Sequence, residues 1–389
     1  MDRHRAGHGI DPWPFPQSLP ALTSVRFVLA LGVVLFHLQL QWPWPTLQAT
    51  GLIERARLGV DVFFILSGFV LTHAYRGAIA DRALDYRRFV VARLARIYPA
   101  HLAVLGFVLV MVGGASLVGA EFDRELYNPA GLLLTLLLVQ AWGPELITAE
   151  WNGPSWSLSA EWFAYLIFPA YAWLGRALGS RPWSLLAIAA ASFLALDGLY
   201  QRAFGDIVVH AEANMGVLRI APEFLYGVAL YRLGERLQAS RNVTVIAAAS
   251  TAAVLLILMH ASADDRLIVA AAGPLVLSLA LLSKAGADAP LRHPWLLAAG
   301  EASYALYLVH FPLLIAWKGV RSALTDEPST YVLAGWEVAG LIALSLMVAL
   351  ALHFGIEAPA RRWIRRWADA HLPARSRAVM PAGSQPPDV

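Results

Sequence analysis

The chain of 389 residues contains no cysteine. This absence excludes disulfide bonds, thiolate metal sites, iron–sulfur clusters and a cysteine nucleophile. Charged residues are also scarce, at 15%, and the formal net charge of +3 is too small to indicate binding of nucleic acid. The eleven histidines include no pair four residues apart with a neighbouring glutamate, so we expect no zinc motif and no metal cofactor.

Hydrophobic residues, in contrast, make up 58% of the chain, and the mean hydropathy is +0.56. This balance is typical of a polytopic membrane protein and predicts an all-α bundle of transmembrane helices. The first apolar stretch, near residues 22–40, is too long for the core of a signal peptide and is followed by no small-residue cleavage pattern. Because it also contains Arg26, we interpret it as a retained helix.

Eleven apolar stretches are candidates for membrane segments. They lie near residues 22–40, 58–75, 97–119, 129–142, 157–175, 183–200, 216–233, 243–260, 266–283, 294–317 and 331–354. Arginines crowd the N-terminus, the connection at 76–96 and the region after the last stretch, and the positive-inside rule places all three in the cytoplasm. An even number of crossings is then required. Counting crossings from both ends of the chain leaves the stretch 129–142, which is the shortest, with its beginning and its end both outside. We therefore predict about ten spans with a re-entrant segment there.

The same reasoning divides the chain into three parts. We expect a cytoplasmic N-terminal segment at 1–20, a transmembrane domain at 21–357, and a basic amphipathic segment with a disordered cytoplasmic tail at 358–389. The run IEAPARRWIRRW spaces its apolar and basic residues so that it could lie on the inner membrane surface. No internal repeat indicates a transporter built of two halves, and no polar stretch is long enough for a soluble domain.

The first apolar stretch carries two ionisable residues, Arg26 and His37. Their spacing turns through about three revolutions plus 20°, so both face the same way about 16 Å apart along a helix axis. Groups of this kind are costly in hydrocarbon and usually face the interior of a bundle or a wet cavity. The alternative is that Arg26 reaches the membrane interface and His37 is a satisfied interior histidine.

Polar residues also occur at helical spacing in four other stretches. They are Asp61 and Ser67 with Gly68, then Arg93 and Arg96, then Ser157, Glu161 and Tyr165, and finally Ser303, Tyr307 and His310. Arginines three residues apart can bind one anionic ligand together, although ordinary positive-inside arginines would give the same pattern. The Ser67–Gly68 pair also permits close packing of helices. Pro312 follows His310 inside its stretch and predicts a kink.

Taken in order, these motifs resemble the acyltransferase 3 family of integral membrane acyltransferases. The resemblance runs from about Leu22 to Arg366 through SVRFVLALGVVLFH, GVDVFFILSGF, RRFVVARLARIYP, WSLSAEWFAYLIFP, YALYLVHFPLL and IEAPARR. It implies a ten-span protein that moves an acyl group, most often acetyl from acetyl-CoA, onto hydroxyls of extracytoplasmic glycans or glycosylated small molecules. The family's arginine and histidine correspond to Arg26 and His37.

The family's cytoplasmic arginine motif corresponds to Arg93 and Arg96, with Arg87 and Arg88 as competing candidates. Some members carry an added esterase-like domain that completes the transfer outside the membrane. This chain lacks one, which implies direct transfer to the acceptor. We therefore expect a glycan or glycosylated acceptor and a lipid bilayer as partners, no nucleic acid, and a location in the cytoplasmic (inner) membrane with both termini cytoplasmic. The oligomeric state is not readable from these patterns.

Acyl transfer from a thioester to a sugar hydroxyl needs a base, donors for the developing oxyanion and anchors for a polyanionic donor. We expect His37 to be the general base, with Glu161 or Asp61 as its orienting partner and His310 as a further acid–base candidate. The anchors for acetyl-CoA or another acyl-CoA are predicted to be Arg26, Arg93 and Arg96. Substrate contacts are predicted for Ser67, Trp156, Tyr165 and Tyr307. A covalent acyl-histidine relay is an alternative.

Two other classes of protein would also place ionisable residues in membrane spans. A secondary transporter should show repeated halves and broken helices at matching positions. A non-catalytic subunit of a polysaccharide export complex would have many spans and would tolerate the loss of His37. We favour the acyltransferase, because transport predicts no cytoplasmic arginine cluster aligned with an internal arginine and histidine.

Overall fold

The computed structural model describes residues 14–42, 50–117, 123–144, 151–325 and 331–372. Within these ranges the secondary structure is helical and contains no strand. The predicted all-α membrane bundle is therefore confirmed. The first thirteen residues of the predicted N-terminal segment and the predicted disordered tail beyond residue 372 lie outside the described residues.

The α-helices of the described residues are numbered in chain order. They are α1 (Pro20–Gln41), α2 (Gly59–Ala74), α3 (Arg76–Ala80), α4 (Tyr86–Leu117), α5 (Pro129–Leu137), α6 (Trp156–Leu166), α7 (Phe168–Ala177), α8 (Pro182–Phe204), α9 (Gly216–Arg236), α10 (Arg241–His260), α11 (Asp265–Lys284), α12 (Pro294–Glu301), α13 (Ser303–Thr325), α14 (Gly335–Leu352) and α15 (Ala358–His371). A 3-10 turn (Glu54–Leu58) leads into α2, and a π-helical turn (His353–Glu357) joins α14 to α15.

Seven helical segments of the described chain are long and apolar enough to cross a membrane. An eighth is obtained if α12 and α13, which meet at 60°, form one broken span. Two further predicted spans do not pass on length and composition, because α9 carries several charged residues and α6 and α7 are separated at Ile167. The protein is thus a multi-pass membrane protein, and the number of ten spans stays a prediction.

The segment predicted to be re-entrant contains only the short helix α5. Its nine residues extend about 13 Å, less than half the hydrocarbon thickness of a bilayer. The side chain of Asn128 caps its first turn, and Leu138, with φ of 56°, ends it in the left-handed region. The chain then runs beside α6, where Ala141 donates its backbone N–H to Ser159 Oγ at 3.1 Å. Helix α5 is therefore too short to cross a membrane, as the prediction requires.

Helices α2 and α9 pack with their backbones in direct contact. A Cβ atom added to Gly68 would lie 2.0 Å from the Phe224 carbonyl oxygen, and one added to Gly227 would lie 2.0 Å from the Ile65 carbonyl oxygen. Only glycine allows so close an approach, which confirms the packing role expected for Gly68. This packing fixes the position of α2, whose other face carries Ser67.

Helix α13 continues through its internal proline. Pro312 has no N–H to donate to the carbonyl of Leu308, and Asn152 Nδ2 donates to that oxygen instead at 3.1 Å. The break in this segment lies ten residues earlier, at Ala302, where α12 and α13 meet at 60°. The 60° break therefore lies before Pro312, and the kink expected at Pro312 itself stays a prediction.

Candidate active site

One cavity of the bundle is lined by α1, α2, α4, α6 and α13. Its polar lining residues are Arg26, Ser67, Arg93, Arg96, Ser157, Glu161, Tyr165, Ser303, Tyr304 and Tyr307. Seven of these were predicted as site residues from the sequence, and they come from all five helices. The structure therefore brings the three predicted anchor arginines, one predicted carboxylate and three predicted substrate contacts into a single space.

Three guanidinium groups collect at one end of this cavity. Arg26 is half-buried and makes no hydrogen bond or ion pair with another described residue. Arg93 is buried, and its guanidinium carbon lies 5.7 Å from the centre of the Tyr165 ring. Arg96 contacts the carboxylate of Glu357 and lies 5.1 Å over the Tyr304 ring. This end carries more positive than negative charge, so it is suited to an anionic ligand.

Glu161 lines the cavity from α6. Its Oε1 atom accepts hydrogen bonds from Ser67 Oγ and from Tyr165 OH, each at 2.6 Å. The contact with Tyr165 follows from the four-residue spacing noted in the sequence. The second oxygen, Oε2, makes no hydrogen bond with a residue in the described ranges. The carboxylate is thus held in a fixed place with one oxygen still able to accept.

His37 and His310 form a pair next to this cavity. His37 Nδ1 lies 3.2 Å from His310 Nε2, and the ring centres are 4.9 Å apart. Neither ring lines the cavity itself; Tyr307 lies between, with its ring 5.9 Å from that of His310 and its own side chain in the cavity wall. The predicted pair of Arg26 and His37 therefore does not share one space: Arg26 lines the cavity, and His37 lies behind its wall.

The hydrogen bonds of the pair define which nitrogen can act as a base. His37 Nδ1 lies 2.9 Å from the Val33 carbonyl oxygen, and His310 Nδ1 lies 3.2 Å from that of Leu306. Since a carbonyl oxygen can only accept, each Nδ1 of the neutral rings carries the hydrogen. His310 Nε2 is then an acceptor facing His37 Nδ1. His37 Nε2, which has no hydrogen bond to a described residue, is left with a free lone pair.

The predicted carboxylate partner of His37 requires correction. Asp61 is buried and binds Arg219 through both oxygens, at 2.8 and 2.7 Å, while Glu161 is held by Ser67 and Tyr165. Neither carboxylate contacts His37, because helix packing commits each to another partner. The Val33 carbonyl and His310 orient the ring instead.

The predicted substrate contact of Trp156 also differs. Its ring lies under the Arg219 guanidinium, with 5.0 Å between that carbon and the ring centre, and it does not line the cavity. Tyr307 does line it, and its hydroxyl donates to the Pro154 carbonyl at 2.8 Å while accepting from Ser157 Oγ at 2.8 Å. Trp156 thus packs on the Asp61–Arg219 ion pair, and Tyr307 forms part of the wall.

Three residues near the site were not singled out from the sequence. Arg219, inside the predicted span 216–233, gave the same signal as Arg26, a guanidinium in an apolar stretch. Glu357 belongs to the IEAPARR run and becomes the partner of Arg96. Tyr304 donates to the Ile97 carbonyl at 2.7 Å and stacks with Arg96. Among the described residues, no group of three or more His, Asp or Glu side chains is placed to hold a metal ion.

Comparison with known proteins gives the family. A model described as an acyltransferase domain matches residues 19–354. The protein named Acyltransferase MdmB, from Streptomyces mycarofaciens, is 30% identical over 373 residues, which cover 90% of this chain and 93% of that protein.

Two further relatives match over shorter regions. A putative peptidoglycan O-acetyltransferase of Bacillus subtilis, YrhL, is 29% identical over 169 residues, or 40% of this chain and 24% of that protein. A putative O-acetyltransferase of Staphylococcus aureus, SACOL0978, is 26% identical over 162 residues, or 39% of this chain and 24% of that protein. The match therefore spans about a quarter of the length of these two relatives. No solved structure matches. Because the domain model covers most of the chain, the protein belongs to the acyltransferase 3 family of integral membrane acyltransferases and is an acyltransferase.

Proposed function

We propose that this acyltransferase moves an acyl group, most often acetyl, from cytoplasmic acyl-CoA to a hydroxyl of an extracytoplasmic glycan or glycosylated small molecule. One observation carries the proposal: a single cavity has three guanidinium groups at one end and adjoins a histidine with a free ring nitrogen at the other. The first feature suits a polyanionic acyl donor, and the second suits removal of a proton from a hydroxyl.

The donor end is argued from the arginines. Guanidinium groups bind phosphates through two parallel hydrogen bonds, which an ammonium group cannot make. Arg26 has no ion-pair partner in the described ranges, so its donors are available to a ligand. Arg96 is shared with Glu357 and Arg93 lies among aromatic rings, which hold both side chains at the cavity wall. Under the predicted topology this end faces the cytoplasm, where acetyl-CoA is found.

The chemical step follows from the tautomers of the histidine pair. His37 Nε2 takes the proton of the acceptor hydroxyl while that oxygen attacks the thioester carbonyl carbon. The C–S bond then breaks, and the CoA sulfur receives the proton from His37. As His37 becomes positively charged, its Nδ1–H points at the lone pair of His310 Nε2 and at the Val33 carbonyl. Both acceptors stabilise the imidazolium, so His310 assists without itself exchanging the substrate proton.

The names of the relatives support acetyl as the group and a hydroxyl as the acceptor. YrhL and SACOL0978 are both named putative O-acetyltransferases, and the former is named for peptidoglycan. The cytoplasmic (inner) membrane and cytoplasmic termini are part of the proposal and depend on the distribution of arginines.

The test is release of CoA thiol by the purified protein in detergent. A thiol reagent gives no protein background, because the chain has no cysteine. With acetyl-CoA and an extract of cell-envelope glycans, His37→Ala should lower the rate by about 10² to 10⁴, the usual contribution of a general base. His260→Ala is the matched control, since His260 is exposed at the end of α10 and away from the cavity. A near-normal rate in a well-folded His37→Ala protein would exclude His37 as the base, and transport without thiol release would favour a transporter.

A further inference from the structure

Lys318 is a buried cation that the proposed chemistry does not use. It is one of two lysines in the chain and lies on α13, eight residues after His310. Its exposed fraction is 6%. Its Nζ donates to Gln41 Oε1 and lies 5.5 Å from the centre of the Tyr331 ring. In the part of the chain that the structure describes, no carboxylate lies within ion-pair distance of this ammonium group.

Among the described residues, the carboxylate of Glu337 lies in this region and is engaged with other groups. Glu337 Oε1 accepts from Arg321 Nη1 at 2.8 Å, from Trp317 Nε1 at 2.8 Å and from Tyr331 OH at 2.9 Å. Its Oε2 accepts from the backbone N–H of Ala334 at 2.7 Å. Glu337 is therefore committed to these groups, and among the described residues Lys318 has Gln41 as its hydrogen-bond partner and no carboxylate within ion-pair distance.

The position of Lys318 relates it to the histidine pair. Its partner Gln41 is one helical turn after His37 on α1 and therefore on the same face. Arg26 lies fifteen residues before Gln41, which corresponds to about 22 Å along the helix. Lys318 is thus on the opposite side of His37 from the arginine end of the cavity, so one acyl-CoA phosphate group cannot be bound by both.

An ammonium group offers three hydrogen-bond donors, and Gln41 uses one of them. The amide Nε2 of Gln41 makes no hydrogen bond with a described residue and adds two more donors. A buried charge without a counter-ion is costly, and an anionic ligand would remove that cost. Ammonium and amide donors side by side are of the kind that bind a carboxylate or a phosphate.

We propose that Lys318 and Gln41 bind a negatively charged group of the acceptor, so that the acceptor is an acidic glycan or glycoside. This inference rests on the proposed function, because it assigns the side of His37 away from the arginines to the acceptor. The acidic group would be held about one helical turn beyond His37, which leaves a neighbouring hydroxyl of the same sugar able to reach His37 Nε2.

The experiment measures thermal stabilisation of the purified full chain in detergent by octyl glycosides, without acyl-CoA. The probes are octyl β-D-glucuronide, octyl β-D-glucoside 6-phosphate and neutral octyl β-D-glucoside. At least one acidic glycoside should bind at least tenfold more tightly than the neutral one. Lys318→Met should remove this preference, and Lys318→Arg, which keeps the charge, should retain part of it. The matched control is Lys284→Met, since Lys284 Nζ bonds only backbone carbonyls, including that of Gly234 at 3.1 Å.

Equal binding of all three glycosides, or a preference that survives Lys318→Met, would overturn the inference. Stabilisation by phosphatidylglycerol vesicles over phosphatidylcholine vesicles that is lost in Lys318→Met would also overturn it, because the site would then bind a lipid headgroup. If Lys318→Met misfolds, Gln41→Ala replaces it with the same expectation. Thiol release from acetyl-CoA is measured separately. If release depends on His37 but binding shows no preference for acidic glycosides, this inference is wrong and the proposed function stands. If binding shows the acidic preference but release does not depend on His37, the proposed function is wrong.

Discussion

The link between Asn152 and the turn that carries His310 gives the sharpest test of the site's construction. Asn152 is 3% exposed, and its Nδ2 donates to the Leu308 carbonyl that Pro312 cannot serve. His310 lies between Leu308 and Pro312 on the same turn of α13. Removing the amide in Asn152→Ala should leave this carbonyl buried and unpaired, at a cost of about 1–3 kcal/mol.

A second change shows whether that specific bond is responsible. Pro312→Ala restores an N–H four residues after Leu308, and the helix can then form its own hydrogen bond. Asn152→Ala should therefore cost less unfolding free energy in the Pro312→Ala protein than in the parent. The expected difference is about 1 kcal/mol or more, which is within the usual range of interaction energies for residues in contact. The control is Pro274→Ala, which removes an internal proline from α11, where the effects should simply add.

Two measurements check this cycle. Unfolding of each variant by SDS in mixed micelles gives the free energies, and thiol release from acetyl-CoA gives the activity. Asn152→Ala should lower kcat with little change in the KM for acetyl-CoA, because the arginine end of the cavity is not touched, and Pro312→Ala should restore part of kcat. The reasoning is refuted if Asn152→Ala costs the same in both backgrounds, since the Leu308 carbonyl would then not be the group that Asn152 satisfies.

Two further predictions concern the donor and the topology. Arg26→Ala should raise the KM for acetyl-CoA at least tenfold, and Arg26→Lys should recover only part of the affinity, because a lysine cannot bind a phosphate through two parallel bonds. Steady-state kinetics measure both KM values, with Arg241→Ala, at an exposed position, as the control. An unchanged KM would remove Arg26 from the donor site. The single-cysteine variants Glu125→Cys and Pro144→Cys should both react with an impermeant thiol reagent added to intact cells, whereas Asp81→Cys should not. Labelling of the first two from opposite sides would show that the segment between them crosses the membrane.

What could be predicted from the sequence is what helix geometry fixes locally. The four-residue spacing of Glu161 and Tyr165 gave a contact that the structure contains at 2.6 Å. The apolar stretches gave the helices, and the arginine of the first stretch does reach the cavity shared with Arg93 and Arg96. Each of these statements depends on residues within a few turns of one another or on the sign of a charge in an apolar segment.

Partners on different helices could not be predicted, because they depend on which helices pack together. His37 and His310 are 273 positions apart, and Asp61 and Arg219 are 158 positions apart. A histidine and a carboxylate on separate spans are as compatible with the sequence as two histidines. The partner of Asp61 is set by the close packing at Gly68 and Gly227, because this packing brings α2 against α9 and places Asp61 beside Arg219.

The absence of a carboxylate beside His37 has a chemical consequence. A carboxylate there would place a fixed negative charge next to the carbonyl oxygen on which negative charge develops during acyl transfer. In this structure backbone carbonyls fix the tautomers of His37 and His310, and the buried charge of Asp61 is neutralised by Arg219. The positive groups without an ion-pair partner in the described ranges, Arg26 and Lys318, lie on either side of the neutral pair. Anionic donor and acidic acceptor would then be drawn toward the same two rings from opposite directions.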